Sequence, residues 1–170
     1  MNLQDTIRTV PDFPKEGILF RDISTLLKDA EAFRCLIDTF AAELKDKNID
    51  YVVGPEARGF AIGSALAYTL GAGLVLARKP GKLPCKTLRY EYALEYGTDS
   101  LEIDATAIKE GGRCVIVDDL LATGGTALAT AKLIEQAGGV VAGIRFAMEL
   151  TDLPGRSVLE GYDVDAVIKY

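Results

Sequence analysis

The stretch Val115-Ile116-Val117-Asp118-Asp119-Leu120-Leu121-Ala122-Thr123-Gly124-Gly125-Thr126 runs a β-branched apolar segment into two acids and then into a glycine turn flanked by threonines. With Cys114 before it, the apolar run shows no alternation, which predicts a strand buried on both faces, as in a parallel sheet. Asp118 and Asp119 then stand at the carboxyl end of that strand, where ligands gather in open α/β sheets. Ala122-Thr123-Gly124-Gly125-Thr126 opens a helix expected over residues 126–136 and stopped by Gly138-Gly139. Glycines let a backbone come close to a phosphate, and a helix N-terminus offers unpaired N–H groups and a positive dipole. Thr123 and Thr126 add hydroxyl donors. Carboxylates cannot face a phosphate, so the two aspartates must accept from hydroxyls or hold a cation. A ribose carrying a phosphate suits both halves of the segment. A plain strand–turn–helix junction would explain the glycines alone, but not the acids and threonines with them.

Working outward, the same rhythm repeats. Asp29 can cap a helix whose Phe33, Leu36, Ile37, Phe40 and Leu44 follow helical spacing. Tyr51-Val52-Val53 reads as a short strand, residues 60–70 as a small-residue helix, and residues 74–77 as another strand. Residues 140–148 and 165–168 complete the set. Short apolar strands alternating with helices predict one α/β domain over residues 1–170, with a central, mostly parallel twisted sheet flanked by helices. Two pieces fall outside this rhythm. Residues 1–28 include the turn-rich Pro11-Asp12-Phe13-Pro14-Lys15-Glu16-Gly17. Residues 78–104 are long and polar, with Tyr90, Tyr92, Leu94 and Tyr96 alternating and Leu101 and Ile103 after them. They read as a mobile loop followed by a two-stranded ribbon.

Composition narrows the function. The net charge of −6 argues against a nucleic-acid partner. The apolar runs are too short for a membrane span, and Met1-Asn2-Leu3-Gln4-Asp5 lacks the basic start of a signal peptide. Three cysteines without C-x-x-C spacing read as reduced thiols, so a cytoplasmic location is expected. The chain has no histidine, which leaves acid–base work to carboxylates, lysine, tyrosine or backbone and excludes an imidazole metal site. Neither G-x-G-x-x-G nor G-K-[ST] is present, which disfavours a dinucleotide fold and a Walker loop. Gly54-Pro55-Glu56-Ala57-Arg58-Gly59 makes a second phosphate-ready turn, and Arg58 is a natural fork for a pair of pyrophosphate oxygens. Arg78, Lys79, Lys82, Lys86 and Arg89 form a basic cluster with no acid before Glu91, which suits a polyanionic ligand.

Residues 115–126 closely resemble the phosphoribosyl-pyrophosphate (PRPP) signature of type I phosphoribosyltransferases, in the wording of the adenine-using members. Phe13-Pro14-Lys15-Glu16-Gly17-Ile18-Leu19-Phe20-Arg21-Asp22-Ile23-Ser24 resembles that family's base-binding stretch. Gly54-Pro55-Glu56-Ala57-Arg58-Gly59-Phe60 resembles its pyrophosphate loop. Arg78-Lys79-Pro80-Gly81-Lys82-Leu83-Pro84 and Tyr92-Ala93-Leu94-Glu95-Tyr96-Gly97 resemble the start and end of its flexible loop. These motifs stand in family order over nearly the whole chain.

The resemblance implies the type I phosphoribosyltransferase fold, with an N-terminal hood over about residues 1–28 and a flexible catalytic lid over about 78–104. It implies transfer from PRPP to adenine, giving AMP and pyrophosphate in purine salvage, with Mg²⁺ as cofactor. Asp118, Asp119, Ala122, Thr123, Gly124, Gly125 and Thr126 would hold the ribose and 5′-phosphate. Mg²⁺ would arrive with PRPP, and either Asp118 or Asp119 could meet it. Arg58, Arg78, Lys79 and Lys82 would hold pyrophosphate. Phe20 would stack on adenine, while Arg21 and the backbone around Leu19 read its edge. Glu95 would meet the base near N7 and act with Arg58 in catalysis. A cis peptide is expected near Glu56-Ala57, where the family often has Asp-Ser, so any role of that serine hydroxyl is lost here. A homodimer is also expected.

Overall fold

A computed structural model describes residues 1–93 and 96–170. The chain opens on a 3₁₀ turn (Leu3–Thr6) and an antiparallel ribbon of β1 (Arg8–Pro11) and β2 (Leu19–Asp22), with Val10 opposite Phe20. This ribbon goes beyond the turn signals read there, because four-residue strands with little burial leave no periodicity to read. A short α1 (Ser24–Leu27) leads into α2 (Ala30–Leu44). Asp29 caps α2 as expected, its Oδ1 accepting from the N–H groups of Glu31 and Ala32 at 3.0 Å each. Leu36, Phe40 and Leu44 of α2 are buried together with Leu3, Ile7, Ile23 and Leu26 from the hood. The base of the hood is therefore part of the body. Phe13, Ile18 and Leu19 at its tip stay exposed.

The body continues through β3 (Tyr51–Pro55), α3 (Arg58–Leu70) and β4 (Gly73–Ala77). An antiparallel ribbon, β5 (Thr87–Ala93) and β6 (Thr98–Asp104), follows. Then come β7 (Arg113–Leu121), α4 (Gly125–Gln136), β8 (Val140–Glu149), α5 (Gly155–Val158) and β9 (Val164–Lys169). The main sheet has the order β4-β3-β7-β8-β9 with every pair parallel. Val115 and Val117 pack in the core on the α2–α3 side, while Cys114 and Ile116 pack on the α4 side. That two-residue alternation of burial explains the unbroken apolar run, since neither face meets water. Each such fully buried side chain contributes roughly 1.5–3 kcal/mol.

Two boundaries differ from the sequence reading, and both matter for the site. β7 does not end at the aspartates but runs through them, with Asp118 opposite Phe146 and Leu121 opposite Glu149. The long β8 beside it supplies ladder partners, and pairing depends on backbone rather than on side-chain polarity. α3 begins at Arg58, two residues earlier than its apolar pattern suggests, so Arg58 sits in the first helical turn.

From β3 the chain winds through α3 to β4 on one side, and from β7 through α4 to β8 on the other. The crevice between the carboxyl ends of β3 and β7 is thus the switch point of the sheet, the preferred place for a ligand. The β5–β6 ribbon is anchored to the same body. Leu101 and Ile103 are buried in the α4-side core, and the Arg78 N–H and C=O pair with Glu102 at 2.9 and 2.8 Å. Among the described residues no helix is long and apolar enough to cross a membrane.

Asp22 ties the hood together. Its Oδ1 accepts from the Ser24 N–H at 2.9 Å and the Ser24 hydroxyl at 2.6 Å, and its Oδ2 from Arg8 at 2.5 Å. The Ser24 bonds, then Arg8, hold its carboxyl down at about 2. A folded-state value below the unfolded one stabilises above the ordinary carboxylate range, and the effect fades as pH falls through the folded value. Asp22→Asn should therefore melt below wild type at neutral pH, with the gap closing as pH approaches about 2; thermal melts across this range check it.

Candidate active site

A cavity of about 240 Å³ opens at the switch point. Glu56, Ala57 and Arg58 line it from the β3–α3 turn, residues 118–127 from the β7–α4 junction, and Phe146 from β8. Asp118, Asp119, Ala122, Thr123, Gly124, Gly125, Thr126 and Arg58 therefore converge as the sequence suggests, although β3 and β7 lie far apart in the chain.

Close backbone approaches shape both turns. A Cβ on Gly54 would stand 2.5 Å from the Gly59 carbonyl oxygen, so this turn closes only with glycine there. The Glu56-Ala57 peptide within it is cis. Gly124 has φ +84 and is the N-cap of α4, a conformation that side-chain-bearing residues rarely adopt. Having no side chain, it leaves the first-turn N–H groups of α4 facing outward for an anion. The short α5 buttresses this loop from behind, a role absent from the sequence reading. A Cβ on Gly155 would lie 2.5 Å from the Ala122 carbonyl oxygen. The neighbouring Arg156 forks onto the buried Glu149 at 2.9 and 2.7 Å, which pins α5 to the end of β8.

The charges are unevenly matched. Arg58 Nε donates to Asp119 Oδ2, joining the start of α3 to the end of β7; Asp119 is buried while Arg58 is half-exposed. Asp118 accepts the Asp119 N–H at 2.9 Å. Burial, and then the adjacent Asp119 carboxylate, push the Asp118 carboxyl well above its ordinary value, and Arg58 offsets this only in part. One guanidinium thus serves two acids.

The basic loop is organised by Glu56. Its carboxylate accepts the Lys79 N–H at 2.7 Å and pairs with Arg78 Nε at 3.5 Å and Lys82 Nζ at 3.6 Å. The Lys79 bond first, then the charges of Lys82 and Arg78, hold Glu56 below its ordinary value. Arg78 and Lys82 do not line the cavity themselves but gather on a residue that does. The Lys79 ammonium instead pairs with Asp99. The hold of Glu56 on the basic loop and the roles of Asp99 and Gly155 carry no signal in the sequence. There Glu56 is one residue of a glycine-bounded turn, Asp99 an acid on a polar ribbon and Gly155 a glycine beside a proline.

The hood residues stand apart from the cavity. Phe20 meets Phe13 edge-on with ring centroids 5.1 Å apart. Arg21 donates to Thr9 Oγ1 at 2.6 Å, and its guanidinium lies 3.9 Å from the centre of the Tyr170 ring. Leu19 is exposed. Glu95, together with Leu94, lies outside the described residues.

The phosphoribosyl transferase domain family matches residues 24–164. The adenine phosphoribosyltransferase of Alkaliphilus metalliredigens (strain QYMF) is 60% identical over 170 residues, covering 100% of both chains. The crystal structure of adenine phosphoribosyltransferase from Thermoanaerobacter pseudethanolicus is 57% identical, with a TM-score of 0.95 over 99% of this chain and 98% of that one. That of the Saccharomyces cerevisiae enzyme, complexed with an imino-altritol bisphosphate and adenine, is 42% identical, with a TM-score of 0.93 over 97% and 96%.

The Asp118 shift has a measurable consequence in the unliganded protein. A carboxyl whose folded value is raised favours folding at low pH, and its contribution is lost as pH rises above the ordinary carboxylate range. Asp118→Asn, which keeps an acceptor for the Asp119 N–H, should melt higher than wild type at neutral pH and close to it in acid. Melting below wild type at both would show that the charge is not a burden.

Proposed function

The chain belongs to the phosphoribosyl transferase family, and from that footing we propose that it transfers the 5-phosphoribosyl group of PRPP to N9 of adenine, releasing pyrophosphate and forming AMP. The reaction is a glycosyl transfer of purine salvage. The observation that carries it is the switch-point cavity, where two carboxylates meet the N-terminal turns of two helices and an arginine.

In this reading Thr123, Gly124, Gly125 and Thr126, with Ala122, receive the 5′-phosphate on α4's first-turn N–H groups. Asp118 and Asp119 accept from the ribose hydroxyls. Arg58, Arg78, Lys79 and Lys82 neutralise pyrophosphate as the C1–oxygen bond breaks and oxocarbenium-like charge builds on the ribose. Mg²⁺ suits this donor set, because it takes one or two carboxylates plus substrate oxygens rather than a full protein cage. Asp118 and Asp119 are such donors, and among the described residues no group of three or more His, Cys, Asp and Glu side chains converges on a metal position. Bound with PRPP, the ion would add positive charge to the leaving group.

Adenine stacks on Phe20, with Arg21 and the Leu19 backbone at its edge. N9 bonds to C1 through its lone pair, and the base gives up the proton carried on N7. With no histidine in the chain, Glu95, set near N7 by the resemblance, is the carboxylate that takes it. Residues 78–104 act as a lid that excludes water, their motion limited to what lies beyond the buried Leu101 and Ile103. The protein works in the cytoplasm as a homodimer. Support for the dimer comes from the edge strand β4, where Leu74 and Leu76 are exposed, and from the exposed Tyr68 of α3.

Incubated with PRPP, Mg²⁺ and adenine, the protein should release pyrophosphate much faster than with hypoxanthine or guanine. Release with none of them would overturn the reading. Glu95→Gln should lower kcat by about 100-fold or more, the scale of general acid–base catalysis, with PRPP affinity nearly unchanged. Wild-type turnover in that variant would remove Glu95 from the mechanism.

A further inference from the structure

Of the three basic side chains assigned to pyrophosphate in the 78–82 loop, Lys79 stands differently from the other two. Arg78 and Lys82 reach Glu56, which lines the cavity. Lys79 gives only its backbone N–H to Glu56, while its ammonium pairs with Asp99 on β6. The Asp99 Oδ2 that holds it also accepts from the Tyr92 hydroxyl at 3.3 Å. That hydroxyl lies 3.4 Å from Thr126 Oγ1, and a Cβ on Gly125 would stand 3.2 Å from the Tyr92 ring. Tyr92 and Asp99 are direct cross-strand partners, so the ribbon ladder itself sets this pairing. A continuous polar line thus runs from the basic loop to the first turn of α4.

The environment of the ion pair shows what it can do. The Lys79 and Asp99 side chains are 39% and 30% exposed. A fully buried pair would hold the lysine permanently, since opening it would strand a charge. A pair this accessible is weak and exchanges readily for a better anion. Pyrophosphate, with several charged oxygens, is such an anion.

We propose that Asp99 is a positioning residue, which holds the Lys79 ammonium beside the 5′-phosphate cradle while the site is empty and yields it to pyrophosphate when that arrives. This rests on the PRPP reading of the cavity. Asp99 then sets pyrophosphate affinity without touching pyrophosphate, because the ligand must take Lys79 from it.

The test is calorimetric titration of the full chain with inorganic pyrophosphate and Mg²⁺, in wild type, Asp99→Asn, Lys79→Met and the double variant. Asparagine preserves an acceptor for Tyr92 but loses the charge. Asp99→Asn should tighten pyrophosphate by about threefold to fivefold, within the range of partly exposed ion pairs, and leave AMP affinity unchanged. In the Lys79→Met background the same substitution should have no effect. Unchanged or weaker pyrophosphate binding in Asp99→Asn would overturn the proposal. So would equal tightening without Lys79, which would mean that Asp99 acts on the ligand directly. If wild type turns adenine over and only this pattern fails, the positioning role alone is wrong. If wild type neither binds pyrophosphate nor turns adenine over, the PRPP reading falls with it.

Discussion

Arg58 and Asp119 join the start of α3 to the end of β7 across the gap where the sheet reverses its winding. Both faces of the sheet are covered by apolar packing, so its polar groups collect at the ends of the central strands, where Arg58 and Asp119 pair. A buried carboxylate without a partner costs several kcal/mol, and Arg58 offsets that cost directly for Asp119 and only in part for Asp118. Asp118 is left with a raised proton affinity. On the β7 side of the cavity negative charge therefore exceeds positive charge. In the proposed reaction, a substrate bringing a cation and hydroxyl donors to these carboxylates would correct that imbalance and would free the Arg58 fork for phosphate oxygens.

The opposite imbalance exists a few residues away. The loop that follows β4 carries Arg78, Lys79 and Lys82 close together, and these would repel one another in the absence of an anion. Glu56 and Asp99 divide them, one taking Arg78 and Lys82, the other the Lys79 ammonium. Glu56 belongs to the same turn as Arg58, so the order of the basic loop and the order of the cavity wall are set by one short segment. The Leu101 and Ile103 anchor then keeps the ribbon in register with that wall. Preorganised charge of this kind is what stabilises developing negative charge on a leaving group.

Much of this was legible in the residues. The unbroken apolar run before Asp118, the Asp29 cap and the glycine turn into α4 each express a rule that operates within a few residues. The hood ribbon was not legible, because its strands are four residues long and mostly face outward. Nor was the true end of β7: Asp118 and Asp119 look like a terminus, yet the backbone of β8 keeps pairing beyond them. Gly155 carried no signal because what it meets, the Ala122 carbonyl, becomes its neighbour only after folding.

The sequence by itself determined which elements form and which turns are ready for phosphate, since periodicity, capping and turn chemistry are local properties of the chain. Its resemblance to a family added an ordered set of motifs and the chemistry they imply. Only the tertiary structure decided which charges meet. Arg58 and Asp119 are 61 residues apart, Lys79 and Glu56 are 23 apart, and Tyr92 and Thr126 are 34 apart. No local pattern encodes those pairings, because they follow from strand order and ribbon register, and it is these that turn a set of phosphate-ready segments into one site.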